Sequence, residues 1–193
     1  MRKLLLMLLC SASLILPRVA CANIVFNGGF EIGDFTGWIL SGNPIPGNVD
    51  GSLPHSGQFA ANLFAQDSPA FMEQQLPTTP GSVYKLTYFL DSDGQIPNRF
   101  LAQVNGSTLF DQLDIPAQSY TSHSFTFTAI NASTDLKFGF RNDPGMFHLD
   151  DIAVDAIPEP SVMCFLIALA VLIFTGRTAA ALTWRNKMRG GWL

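Results

Sequence analysis

Apolar and polar positions alternate with a period of two through much of the middle of this chain. That spacing places successive side chains on opposite faces of a strand. Tyr84, Leu86, Tyr88 and Leu90 share one face, with Val83, Lys85, Thr87 and Phe89 on the other. Phe100, Ala102 and Val104 repeat the alternation, as do Phe125 with Phe127, and Leu136 with Phe138 and Phe140. Clusters of Gly, Pro, Asn and Asp separate these runs, so the pattern predicts an all-β body of roughly eight to ten strands in two packed antiparallel sheets.

Turn chemistry sets the boundaries. Asn105-Gly106, between Val104 and the run Ser107 to Phe110, reads as a two-residue hairpin turn with positive φ at both positions. Pro80-Gly81 marks a turn before Val83, and Asp91 to Asn98 reads as a polar loop. Near residue 150 the apolar positions change parity: Phe147 and Leu149 are odd, Ile152 and Val154 even. A β-bulge at Asp150-Asp151 produces such a switch and turns neighbouring carboxylates more nearly the same way.

Both ends follow another logic. Arg2 and Lys3 precede an apolar run from Leu4 to Leu16, and Ala20-Cys21-Ala22 supplies a small-residue cleavage site, so residues 1–22 read as a signal peptide. Arg18 stands where a lipobox before Cys21 wants an apolar residue, which argues against lipidation. At the other end Pro158-Glu159-Pro160 is followed by an uncharged stretch from Ser161 to Phe174 and then by Arg177, Arg185, Lys187 and Arg189. A rigid turn, an apolar helix and a basic stop describe a membrane-engaging segment over 158–193. It resembles the PEP-CTERM sorting signal of Gram-negative bacteria. The resemblance implies processing by a membrane-embedded exosortase during export to the cell surface or exopolysaccharide matrix. Thr175 to Thr178 interrupts the apolar run where that family usually ends in an arginine cluster. The alternative is a plain anchor, but Val162 to Phe174 is 13 residues, short of the about 20 that a spanning helix needs.

Composition changes the picture once these ends are set aside. The whole chain has a net charge of −4, yet residues 23–157 hold four Lys and Arg against 14 Asp and Glu, a net −10. Nucleic acid requires a basic footprint and is excluded as a partner. All three cysteines, Cys10, Cys21 and Cys164, lie outside this body, which therefore has neither a disulfide nor a thiol nucleophile. His55, His123 and His148 stand in no Gly-x-Ser-x-Gly or His-Glu-x-x-His setting, so the expectation is a non-catalytic protein.

Two stretches carry chemistry: Asn27-Gly28-Gly29-Phe30-Glu31 with Gly37-Trp38, and Leu149-Asp150-Asp151. With His55-Ser56-Gly57 before Phe59-Ala60-Ala61 and the strand at Tyr84, they make the body similar to galactose-binding-like jelly rolls, a class that includes several carbohydrate-binding modules. The resemblance implies first and last strands side by side, with one structural Ca2+ between them. Glu31, Asp150 and Asp151 would be its charged ligands, consistent with the six to eight oxygens calcium takes. Trp38 is expected in the core rather than as a sugar platform. A ligand surface is expected on the exposed face of the central strands, at Lys85, Arg99, Gln103 and Arg141. The sequence thus predicts an exported protein that associates with extracellular polysaccharide. A structural or adhesive protein that binds other proteins, and a small glycan-active enzyme, are the alternatives.

Overall fold

The computed structural model describes residues 22–43 and 46–158. The leader before Ala22 lies outside the described residues, as do Glu159, Pro160, the apolar tail helix and the basic positions Arg177, Arg185, Lys187 and Arg189. Ten strands form in chain order: β1 (Ile39–Gly42), β2 (Gly47–Asp50), β3 (Ala60–Leu63), β4 (Ala70–Pro77), β5 (Val83–Ser92), β6 (Asn98–Val104), β7 (Ser107–Leu113), β8 (Gln118–Thr128), β9 (Ser133–Asn142) and β10 (Phe147–Ala156). They pair antiparallel as two five-stranded sheets, β1-β4-β9-β6-β7 and β2-β3-β10-β5-β8.

β4, β5, β6 and β9 bury alternate residues because one pleat face meets the opposite sheet, while the edge strands β7 and β8 only half-bury theirs. Met72, Phe100 and Phe138 point inward from the first sheet, and Leu86, Tyr88, Phe147 and Leu149 from the second, all fully buried. Rings lock the two layers together. Tyr88 meets Phe138 edge-on at 5.2 Å between centroids, and Phe100 meets Phe147 at 5.6 Å. Burying each of these large side chains contributes about 1.5–3 kcal/mol, and in a body without cysteine this core carries the stability.

The strand faces are those the alternation predicts: Tyr84, Leu86, Tyr88 and Leu90 are buried, as are Leu136, Phe138 and Phe140. Asn105 and Gly106 have φ of 48° and 76° and close the β6–β7 hairpin, with Val104 opposite Ser107. The register of β10 against β5 shifts between Asp150 and Ala153, and Asp151 has φ of 50°. That bulge brings Phe147, Leu149, Ile152 and Val154 all into the core despite their parity change.

The chain start differs from the expected first strand. Residues 23–38 form turns rather than a strand, yet they do run beside β10. The Ile24 amide donates to the Val154 carbonyl at 3.0 Å, and the Ile152 amide to the Gly28 carbonyl at 2.9 Å. Asn23 adds a side-chain clamp, accepting from the Val154 amide and donating to the Ile152 carbonyl. Glycines and asparagines favour turns here, and the ladder is replaced by isolated bonds. Trp38 is buried between Phe30 and Phe138, its indole N–H donating to the Asn27 carbonyl, which makes it a core residue.

Candidate functional site

The outward face of the first sheet holds a groove of about 320 Å³, lined by side chains of β4, β6, β7 and β9 and the loops at their ends. Its floor is Gly139, in the middle of β9. Gly139 faces Phe71 on β4 and Leu101 on β6 in register. A Cβ there would stand 2.9 Å from the Phe71 ring and 3.3 Å from the Leu101 side chain. The missing side chain is what lets these two apolar groups border an open channel. A glycine inside a strand weakens it, and close approach of another group is a common reason for one.

Arg99 and Arg141 form the polar wall, with Pro69, Pro97 and Leu113 completing the rim. The two arginines are cross-strand partners, Arg99 on β6 opposite Arg141 on β9. Arg99 donates from Nε and Nη2 to the two oxygens of Asp111 at 2.8 and 2.7 Å. This pair holds the Asp111 carboxyl below its ordinary pKa and raises that of the guanidinium. Arg141 donates from Nη2 to Asp143 at 3.0 Å, while its Nε is buried without a partner. Asp143 also accepts the Asp67 amide, the larger cause of its lowered pKa.

Of the four side chains expected to bind ligand, the structure brings Arg99 and Arg141 together at the groove. Gln103 lies further along the same face of β6, opposite Lys137, and bonds Thr108 at 3.2 Å. Lys85 lies on β5, in the other sheet, away from the groove. Sequence reasoning missed Gly139, Phe71 and Leu101. The one signal was a glycine at the outward position between Phe138 and Phe140.

The second sheet is covered at one end of its outward side, while Lys85, Ser124 and Thr126 on the same side are exposed. Residues between β2 and β3 lie across β10, β5 and β8: the His55 ring stacks on Phe89 at 3.8 Å, and the Tyr120 hydroxyl donates to the Leu53 carbonyl. Under this loop sits Asp150, fully buried. Its Oδ2 accepts the amides of His55 and Ser56 at 2.9 and 3.2 Å, and its Oδ1 accepts the amide of Asp151 at 2.7 Å. Desolvation raises its pKa, and these amides work in the opposite direction. Asp151 takes His55 Nδ1 at 2.6 Å and the Ser56 hydroxyl at 2.7 Å. Glu31 reaches across to the amides of Gln58 and Phe59.

The three acids expected to hold calcium do gather in one place. A Cβ on Gly29 would come within 3.7 Å of Asp151 Oδ1, 3.8 Å of Asp150 Oδ1 and 3.8 Å of Glu31 Cγ. Among the described residues none of the three carboxylates has a Lys or Arg partner. In the arrangement seen, amides, a hydroxyl and an imidazole supply the positive poles. Among the described residues no group of three or more His, Cys, Asp or Glu is disposed to hold a metal ion.

No family model matches this sequence, and no curated protein does. Solved structures do match the fold. The module TmCBM61, determined in complex with β-1,4-galactotriose, superposes with a TM-score of 0.58 at 16% identity, over 70% of this chain and 99% of that one. The CBM22-1 xylan-binding domain of Paenibacillus barcinonensis Xyn10C gives 0.52 at 16% identity, over 73% and 99%. The enzymatically active domain of bacteriophage CBA120 tailspike protein 4 gives 0.55 at 15% identity, over 70% of this chain but 21% of that one. The body therefore has the jelly-roll fold of carbohydrate-binding modules, a scaffold that also occurs as part of a larger enzyme. At such identities the likeness is one of fold, and function rests on the site.

Proposed function

We propose that this chain is an exported, non-catalytic protein whose β-sandwich binds polysaccharide of the cell surface or extracellular matrix in the groove above Gly139. The observation that carries the reading is the groove itself. It has an apolar floor suited to the carbon face of a sugar ring and a wall of hydrogen-bond donors suited to its hydroxyls. The fold likeness to a module determined in complex with β-1,4-galactotriose and to a xylan-binding domain supports it. The groove lining includes no Asp, Glu or His, whereas glycoside hydrolysis uses a pair of carboxyl groups across the scissile bond. That supports binding without cleavage.

The same reading includes the ends of the chain. Residues 1–22 direct export, and Pro158, Glu159 and Pro160 with the basic stop mark the chain for an exosortase-type enzyme. The tail holds the protein in the membrane until processing, in the envelope of a Gram-negative bacterium. Glu31, Asp150 and Asp151 would hold a structural Ca2+ that ties the first turns to β10, with no catalytic duty.

Affinity electrophoresis of the full-length protein in mild detergent, through gels containing galactan, xylan or acidic polysaccharides, tests the groove. Retardation by at least one polymer, with no release of reducing sugar, is expected. Unretarded migration in all of them at millimolar sugar removes the carbohydrate reading, and reducing-sugar release removes the non-catalytic one.

A further inference from the structure

Four cations serve the whole body between residues 23 and 157, and three of them, Arg99, Lys137 and Arg141, lie on the outward face of the first sheet. Lys137 is spoken for: it pairs with Glu73 at 2.9 Å and sits 5.4 Å over the Phe71 ring. Arg99 and Arg141 are different. They stand directly opposite one another across β6 and β9, where like charges destabilise the pair. Exposed strand positions accept many polar residues, so sheet formation does not explain two guanidiniums facing each other in a body of net charge −10.

Each is anchored but not saturated. A guanidinium has five N–H donors. Asp111 engages Nε and Nη2 of Arg99, and Asp143 engages Nη2 of Arg141, so the Nη1 donors of both have no partner among the described residues. The Arg141 Nε is buried and unpartnered as well, a costly condition for a polar atom that has left water. The two aspartates thus fix the head groups at the wall of the groove while leaving donors over. A planar fork of donors matches a carboxylate in bidentate fashion, and the apolar edge of Phe71 and Leu101 beside it matches a sugar ring.

From this we propose that the groove selects an acidic polysaccharide, binding the carboxylate of a uronic acid residue between Arg99 and Arg141 while its ring lies over Gly139. The inference rests on the glycan reading above and narrows its substrate class. The body's net −10 opposes a polyanion at long range, but at physiological salt that repulsion is screened beyond about 8 Å, and the arginine contacts are made well inside that distance.

The test uses full-length protein in detergent and gels containing polygalacturonate, alginate or glucuronoxylan, each beside its carboxyl-reduced twin with the same backbone. At least one acidic polymer should retard the protein about tenfold more strongly than its reduced twin, the size expected of a charge-assisted bidentate bond. Arg99→Gln and Arg141→Gln should each remove most of that difference, and Lys85→Gln, on the other sheet, should leave it intact. Melting curves of the variants confirm that they are folded. Equal retardation by a polymer and its reduced twin would overturn the inference and leave glycan binding standing. Equal retardation by dextran sulfate would also overturn it, showing attraction for any anion. Failure to bind any polymer would take the glycan reading with it.

Discussion

Gly139 does its work by what it lacks. Gly139→Val should close the groove floor, because even the first added carbon would press on the Phe71 ring at 2.9 Å. Overpacking of this kind costs about 1–3 kcal/mol, and glycan retardation should disappear. Adding Phe71→Ala should recover stability in denaturant titration without recovering retardation. Recovery of both would mean that the floor is not where sugar lies. The glycine could be seen in the sequence at an outward strand position, but its role could not. That role depends on Phe71 and Leu101, which stand 68 and 38 residues earlier in the chain, arriving on neighbouring strands. The facing of Arg99 and Arg141 was hidden for the same reason: register between distant strands is set by the folded sheet.

At the level of elements, β10 was the most legible. Its parity change foretold a bulge, and the bulge is present at Asp150-Asp151. If calcium ties this bulge to the first turns, a chelator should lower the melting temperature, and Asp151→Ala should abolish that sensitivity. Identical melts with and without calcium would remove the ion and leave the acids to the amides, the Ser56 hydroxyl and the His55 ring. A second prediction belongs to β8, which packs on β5. His123 stacks on Tyr88 at 5.0 Å and meets the Phe110 edge at 4.7 Å, and burial lowers its pKa. The unfolded chain therefore takes up a proton near the ordinary value of about 6.5 before the folded one does. Stability should be fully present above that value and fall on acidification below it. His123→Leu should flatten this part of the pH profile of unfolding, read by urea titration at pH 7.5 and 5.5 in steps of about half a unit. An unchanged slope would mean that other groups carry the acid sensitivity.

For the whole molecule, the alternation made two antiparallel sheets and their inner faces legible, whereas the sheet order β1-β4-β9-β6-β7 was not. Turn residues specify neighbours along the chain; which strands become neighbours otherwise depends on how the two layers close over a shared core. Charge gave a total but no map, and only the folded body shows Arg99, Lys137 and Arg141 on one face. At this scale the sorting proposal is tested by Glu159→Ala, which should leave unprocessed precursor in the membrane fraction on immunoblot. Normal maturation would favour a plain anchor.

The loop laid across β10, β5 and β8 has a consequence for how such a molecule behaves in a gel of its ligand. His55 and Leu53 roof one end of the second sheet, so if polysaccharide lies in the proposed groove above Gly139, each copy would grip a fibre from the flank of the first sheet. On that proposal such molecules would sheathe a strand instead of stapling two together, so adding them to a dilute polymer should leave its viscosity near that of the coated chains and bring no gelation.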